Sequence, residues 1–250
     1  MTAWVLIGFI GALIMGIPVA FAVAIGCIIV LASGGTPLVI IAQKMVDNVG
    51  GFTMLAMPLF ILSGNLMAYG STPRLMKLAN LVFRKIPGGL GAAGIGACGF
   101  FGAVSGSGVA STAAVGGIMG PEMVKQGYAK GITAGLLAAG GAMASIIPPS
   151  IVMVVYSASA GVSIGDMFLS GFGPGILTIV SLITLNSVLA KKRGTVNTNH
   201  SYTRKERLHI WIDALLPLVT PVIIIGGVLS GTLTATEASV VAVVYALFLA

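Results

Sequence analysis

Charged side chains are scarce in this sequence: Asp, Glu, Lys and Arg make up 8% of its 250 residues, and hydrophobic residues make up 57%. A soluble domain carries about 25% charged residues, so the composition excludes a soluble protein and predicts an all-α polytopic membrane protein. Cysteine is also rare. Cys27 and Cys98 lie in separate apolar runs, which gives neither a disulfide framework nor the spacing of a metal site.

The apolar runs contain no Asp, Glu, Lys, Arg or His deep within them, so the sequence does not indicate a proton relay through the membrane. The two histidines, His200 and His209, lie in or beside a basic loop. A serine hydrolase needs a base beside its nucleophile, and Ser105 and Ser107 have neither such a base nor the G-x-S-x-G pattern. The sequence therefore predicts no catalytic residues and no enzyme.

Positive charge is concentrated in the segments 74–85, 125–130 and 191–207, which hold 12 of the 13 Lys and Arg residues. Short basic loops between apolar runs follow the positive-inside rule of membrane proteins, so we expect a lipid bilayer as surroundings and no nucleic-acid partner. All three segments are predicted to be cytoplasmic. The short loops near Asp166 and Glu237 are predicted to face the other side.

Outside the region 88–150, the apolar runs predict spans and surface helices in a simple order. Residues 3–31 form either one strongly tilted span or two helices separated near Gly16 and Pro18, and no basic residue precedes them as in a cleaved leader. The other predicted segments are an interfacial helix at 36–48, a span at 52–69, an amphipathic basic surface helix at 74–85, and spans at 167–190 and 210–229.

The region 88–150 contains two interruptions of apolar sequence. The first is the run Ser105, Gly106, Ser107 and Gly108, and the second is 146–150, which includes two consecutive prolines. Breaks in the helix ladder survive at membrane depth only where they are buried in protein or line a wet cavity. We therefore expect a binding site built from broken helices.

The apolar runs on either side of the first break are short for membrane spans. At about 1.5 Å per residue, 88–104 is roughly 25 Å long and 109–121 roughly 20 Å. A hydrocarbon core is about 30 Å thick. A re-entrant hairpin whose tip stops part-way across the membrane accounts for these lengths. The alternative is two ordinary short helices joined by a turn outside the membrane.

The breaks offer groups that hold small ions. Because proline lacks an N–H, Pro148 and Pro149 are expected to leave the carbonyls of Ala144 and Ser145 unpaired, and the first arm should end in free carbonyls at 103–105. Free carbonyls coordinate Na⁺, and helix N-termini attract anions. The predicted ion- and substrate-binding residues are Ser105, Gly106, Ser107, Gly108, Ser111, Thr112, Gly140, Gly141, Ala144, Ser145, Pro148, Pro149 and Ser150. The predicted Na⁺ ligands among them are Ser105, Ser107, Ala144 and Ser145.

Five stretches occur in a characteristic order: GAVSGSGVASTAA at 102–114, MVKQGY at 123–128, IIPPS at 146–150, GVSIGD at 161–166 and TATEA at 234–238. With them the chain resembles, over essentially its whole length, the large DctM-like membrane subunit of the tripartite ATP-independent periplasmic (TRAP) transporters. The last stretch departs slightly, because the family more often has proline where Ala235 stands. By this resemblance the chain is expected to be the first half of a longer permease and the start of the next helix.

The resemblance implies a Na⁺-coupled importer of organic acid anions, such as C4-dicarboxylates or sialic acid, in the bacterial cytoplasmic membrane. It implies an elevator-type fold with two inverted repeats, each with a re-entrant hairpin and a broken helix. The implied partners are a small membrane subunit and a periplasmic solute-binding protein, and Na⁺ is the coupling ion without a further cofactor. In this scheme 1–87 is scaffold, 88–165 is the first half of the transport domain, and 166–250 holds further spans.

Two other functions fit the same residues. An elevator-type anion and Na⁺ symporter without a binding protein would transport in the absence of any periplasmic partner. A non-transporting assembly subunit would keep the broken helices and bind no solute.

Overall fold

The computed structural model describes residues 2–193 and 202–249, and within these ranges the chain forms helices and no strand. A short 3₁₀ helix, Phe52–Leu55, precedes the fourth α-helix. The helices are α1 (Thr2–Ile14), α2 (Val19–Ser33), α3 (Val39–Val49), α4 (Ala56–Phe83), α5 (Gly89–Ser105), α6 (Gly108–Lys125), α7 (Lys130–Ala144), α8 (Ile151–Ala160), α9 (Ile164–Arg193), α10 (Arg204–Leu229) and α11 (Ala235–Leu249). The all-α prediction is confirmed.

Contacts divide the chain into two compact units, Met1–Gly51 and Phe52–Ala250. In the first unit the long apolar run is split into α1 and α2, because Gly16 has a φ of +78° and Pro18 precedes α2. The two helices pack at Gly26, where an added Cβ would lie 3.2 Å from the Val5 carbonyl oxygen. The predicted division into a scaffold (1–87), a transport-domain half (88–165) and further spans (166–250) is functional, because it says which parts move during transport. It stays a prediction.

In the second unit, one helix replaces two predicted segments. The helix α4 continues from Ala56 to Phe83 through Pro73, whereas the sequence predicted a span at 52–69 and a separate surface helix at 74–85. The prediction of a separate helix is wrong. A buried face with Met67, Leu75 and Leu78 continues along the helix past the change from apolar to basic sequence, and its packing holds the helix together.

The helices α5 and α6 form the predicted helical hairpin. The first arm matches its prediction within one residue at each end. The second arm was predicted to end at Pro121, which is wrong, because α6 continues to Lys125 and has 18 residues. Its length is therefore about 27 Å. The short-arm argument holds for α5 and is weaker for α6.

Three contacts place the basic segments at one end of the second unit. The Asn186 side-chain amide donates to the Gly88 carbonyl (2.9 Å), and the Gly91 N–H donates to the Tyr128 hydroxyl (3.2 Å). Burial raises the pKa of Tyr128, so the phenol stays protonated at neutral pH. The Arg84 guanidinium lies 5.6 Å from the centre of the Tyr202 ring. The hairpin thus returns to the end at which it starts. The part of the basic loop at 194–201 lies outside the described residues.

Two of the described helices, α9 and α10, are by themselves long and apolar enough to cross a membrane. They cover the spans predicted at 167–190 and 210–229, and both are longer than predicted. The start of α10 is fixed by a capping box, in which Thr203 accepts from the Glu206 N–H and the Glu206 carboxylate accepts from the Thr203 N–H.

Cysteine labelling tests the predicted topology. Ala129 and Val162 are both exposed and lie outside helices. Ala129 is at the basic end, and Val162 is in the loop between α8 and α9. In a background without Cys27 and Cys98, we expect a membrane-impermeant maleimide to label Val162→Cys in intact cells and Ala129→Cys only after permeabilisation, because basic loops stay cytoplasmic. Labelling of Ala129→Cys in intact cells would overturn the orientation.

Candidate functional site

The hairpin tip consists of two residues between α5 and α6. Gly106 has a φ of +66° and caps α5 by donating its N–H to the Gly102 carbonyl (2.7 Å). Only glycine adopts this left-handed conformation without strain. Ser107 is extended, and its hydroxyl accepts the Ala110 N–H (3.3 Å), which confirms it as the N-cap of α6. Gly108, predicted to be part of the tip, is the first residue of α6.

The second break separates α7 from α8 and contains a cis Pro148–Pro149 peptide bond. The Ser150 hydroxyl donates to the Ser145 carbonyl (2.5 Å) across it. The prediction that the Ser145 carbonyl is unpaired is therefore wrong. No donor among the described residues reaches the Ala144 carbonyl, because the residue four positions later is proline.

The end of α5 also presents unpaired carbonyls. The last backbone bond of this helix runs from Gly106 to Gly102, so the carbonyls of Ala103, Val104 and Ser105 accept no backbone N–H from the described residues. This agrees with the sequence expectation. Ser105 is buried, and its hydroxyl accepts the N–H of Ser107 (3.3 Å).

Two hydrogen bonds connect the tip to the second break. The Ile151 N–H, at the start of α8, donates to the Gly106 carbonyl (3.1 Å). The Gly108 N–H, at the start of α6, donates to the Ser145 hydroxyl (3.1 Å). The structure therefore brings together the two interruptions that are separate in sequence.

Glycines let the backbones approach closely at this junction. A Cβ at Gly108 would lie 2.6 Å from the Gly141 carbonyl oxygen, and one at Gly141 would lie 2.8 Å from the Thr112 Cβ. A Cβ at Gly102 would lie 2.7 Å from the Ala144 Cα. These distances are below ordinary van der Waals contact, so side chains at these positions would separate α5 and α6 from α7.

Gly140, a predicted site residue, does not face the junction. It faces α5, where an added Cβ would lie 3.3 Å from the Cβ of Cys98. Conversely, sequence reasoning missed Gly64 of α4. A Cβ at Gly64 would lie 2.9 Å from the Ser105 Cα and its carbonyl oxygen, so α4 packs directly against the end of α5. The only sequence signal was a small residue between Ser63 and Asn65.

The hydroxyl groups near the tip point their hydrogens at the backbone. Ser111 donates to the Ser107 carbonyl (2.7 Å), and Thr112 donates to the Gly108 carbonyl (2.9 Å). A hydroxyl oxygen that has donated its hydrogen retains lone pairs, which are suited to a cation. The described residues contain no cluster of three or more His, Cys, Asp or Glu. The oxygen atoms described at this junction are backbone carbonyl and hydroxyl oxygens, which are neutral.

Loss of the Ser107 cap tests the role of the tip with a small change. Ser107→Ala removes the acceptor of the Ala110 N–H, which typically costs about 1 kcal/mol of helix stability. We expect membrane insertion to be unchanged and the half-saturating Na⁺ concentration for solute uptake to rise. Ser187→Ala, which removes a hydroxyl bonded to the Ile183 carbonyl in α9, is the matched control. An equal effect of both variants would argue against a specific role of the tip.

Residues 6–250 match the family model described as "Tripartite ATP-independent periplasmic transporter, DctM component". The chain is 40% identical to the uncharacterized protein YgiK of Salmonella typhimurium, across 95% of this chain and 56% of that protein. It is 38% identical to the isethionate TRAP transporter permease protein DctMQ of Oleidesulfovibrio alaskensis, across 95% of this chain and 38% of that protein. It is 36% identical to the sialic acid TRAP transporter large permease protein SiaM of Vibrio cholerae, across 97% of this chain and 57% of that protein. The chain thus spans about half the length of most of the curated relatives it matches, and less of the permease DctMQ.

Proposed function

Because this chain belongs to the DctM family of TRAP transporter components, we propose that the full-length protein is the large permease subunit of a Na⁺-coupled importer of organic acid anions in the bacterial cytoplasmic membrane. The observation that carries the proposal is the pair of hydrogen bonds joining the hairpin tip to the second break. These bonds hold unpaired carbonyls and two helix N-termini at one place. Names of relatives support the substrate class, since two are named for isethionate and sialic acid.

Na⁺ binds, in this proposal, to the carbonyls of 103–105 and Ala144 and to hydroxyl oxygens of the tip. All these ligands are neutral, so the bound ion keeps its full positive charge within the junction. The acid group of the solute then binds near the Na⁺ and the N-termini of α6 and α8. The described junction has no Lys or Arg, so in this proposal Na⁺ supplies positive charge for the acid group of the solute. This attraction is the physical origin of the coupling.

The site moves as a unit in this proposal. The hydrogen bonds between tip and break join α5, α6, α7 and α8, which lie in the predicted transport-domain segment 88–165. A body held together in this way is suited to an elevator-type movement, in which a packed domain carries the site across the membrane. The partners are a small membrane subunit and a periplasmic solute-binding protein.

Reconstitution of the full-length protein with its small subunit tests the proposal. Proteoliposomes with an imposed Na⁺ gradient are supplied with the purified binding protein and a panel of radiolabelled carboxylates and sulfonates. We expect uptake of at least one acid that requires both the gradient and the binding protein. Uptake without the binding protein would favour a simple Na⁺ symporter. If the assembled complex binds no acid with Na⁺ present, a non-transporting assembly subunit is the better description.

A further inference from the structure

An open groove of about 580 Å³ runs between α6 and α7, and no residue of α5 lines it. Its lining is mostly small and apolar, with Gly116, Gly120, Ala134 and Ala138 along it. It extends from Thr112 to Val124 along α6, a distance of about 18 Å. One leaflet of the hydrocarbon core is about 15 Å thick. The groove therefore has the length of one membrane leaflet.

The end of the groove near the basic loops carries two polar residues, Lys130 and Thr133. Lys130 is the first residue of α7, and the preceding Ala129 provides no side-chain cap for the free N–H groups of that helix. One turn farther along, Thr133 is 4% exposed, and its hydroxyl has no hydrogen-bond partner among the described residues. A buried hydroxyl without a partner is costly, so a lipid oxygen that accepts a hydrogen bond from Thr133 would be stabilised.

The neighbouring charges favour an anion at this end. Lys125 ends α6, on the other side of the short loop from Lys130. The one acid nearby in sequence, Glu122, accepts a hydrogen bond from the Gln126 amide (3.2 Å). A ligand that fits must be negatively charged at the loop end and apolar over the remaining length.

We propose that this groove binds one anionic phospholipid of the cytoplasmic leaflet. The phosphate lies at Lys130 and the first N–H groups of α7, the Thr133 hydroxyl donates to a glycerol ester oxygen, and an acyl chain follows the Gly and Ala lining. Basic pockets between transmembrane helices at the cytoplasmic side bind anionic headgroups in this way. A free organic acid would leave the apolar length unfilled. The lipid thereby contacts α6 beside the candidate ion site.

Native mass spectrometry of the full-length protein, with phosphatidylglycerol and phosphatidylcholine as probes, tests this inference. We expect the wild type to bind phosphatidylglycerol more tightly. Lys130→Gln should weaken phosphatidylglycerol binding about fivefold, since one basic residue contributes about that factor near an anionic lipid. Phosphatidylcholine binding should weaken less, because the choline cation offsets the charge of its phosphate. Thr133→Val, which keeps the shape of the side chain, should weaken both lipids.

Two adjacent glycines provide a matched pair. A Cβ at Gly116 or at Gly117 meets nothing within 4 Å, so both accept a larger side chain, and only Gly116 lines the groove. Gly116→Leu should lower the binding of both lipids about tenfold or more, whereas Gly117→Leu should match the wild type; leucine favours the helix at either position.

Three outcomes would overturn the lipid site: equal lipid binding by both leucine variants, an unchanged headgroup preference in Lys130→Gln, or no preference for phosphatidylglycerol in the wild type. If another helix of the full-length chain fills the groove, Gly116→Leu will lower the melting temperature more than Gly117→Leu while lipid binding stays constant, and that result also contradicts the inference. These readouts do not require transport, so they are independent of the proposed function.

Discussion

Gly108→Val is expected to abolish solute uptake by the full-length transporter while leaving its membrane insertion and subunit assembly intact. The first atom of the new side chain would lie 2.6 Å from the Gly141 carbonyl oxygen and would overlap the Ser145 hydroxyl. The backbone of α6 therefore has to move away from α7, and this movement breaks the hydrogen bond from the Gly108 N–H to the Ser145 hydroxyl. The carbonyls of the tip and of α7 would then no longer face the one ion that we propose they bind. Uptake at saturating Na⁺ and solute is the measurement.

The same helix offers the control for this variant. Gly117 lies in α6, and a Cβ there meets nothing within 4 Å, so Gly117→Val adds the same side chain without a collision. We expect it to transport normally. Gly106→Val should fail like Gly108→Val, because Gly106 has a φ of +66° and a branched side chain is strained there. Normal uptake by Gly108→Val would place the junction between the hairpin and the second break outside the functional site.

Replacing Pro148 and Pro149 together with alanine is expected to weaken the Na⁺ dependence of uptake strongly. Alanine at 148 has an N–H that can bond to the Ala144 carbonyl and extend α7. That carbonyl is then lost to the ion, and Ser145 and Ser150 move with the rebuilt segment. Loss of a well-placed metal ligand or its support typically costs about tenfold or more in affinity. We therefore expect the half-saturating Na⁺ concentration to rise by about tenfold.

Pro174→Ala is the control for the proline pair, because Pro174 lies inside α9 and is exposed. It should leave the Na⁺ dependence unchanged. The double variant also needs a folding check by size-exclusion chromatography of the assembled complex. A well-folded double variant with wild-type Na⁺ affinity would show that the Ala144 carbonyl does not hold the ion.

Local features of the site were predictable from the sequence because their causes are local. Glycine at 106 permits the left-handed turn, serine at 107 caps the next helix, and two prolines interrupt α7, whichever elements lie nearby. The ends of α4 and α6 were predicted less well. In both cases an apolar face continues past a proline or a basic run, and tertiary packing extends the helix.

Features that depend on neighbours distant in sequence were not predictable. The bond from Ser150 to the Ser145 carbonyl spans only five residues, but it was missed as well, because it depends on the path of the chain through the second break. The close approach of Gly64 to Ser105 joins helices 41 positions apart, and nothing in the residues around Gly64 indicates its partner. Likewise, Gly140 and Gly141 are adjacent, but only one faces the tip, which depends on the rotation of α7 against α5 and α6.

Direct binding of Na⁺ tests the central claim that tip and break form one cation site. Equilibrium dialysis of the purified full-length protein with radioactive Na⁺ counts the bound ions without requiring transport or any partner. We predict that Gly108→Val binds one Na⁺ fewer than the wild type and that Gly117→Val binds the same number. Equal Na⁺ binding by Gly108→Val and the wild type, with equal affinity, would contradict the claim.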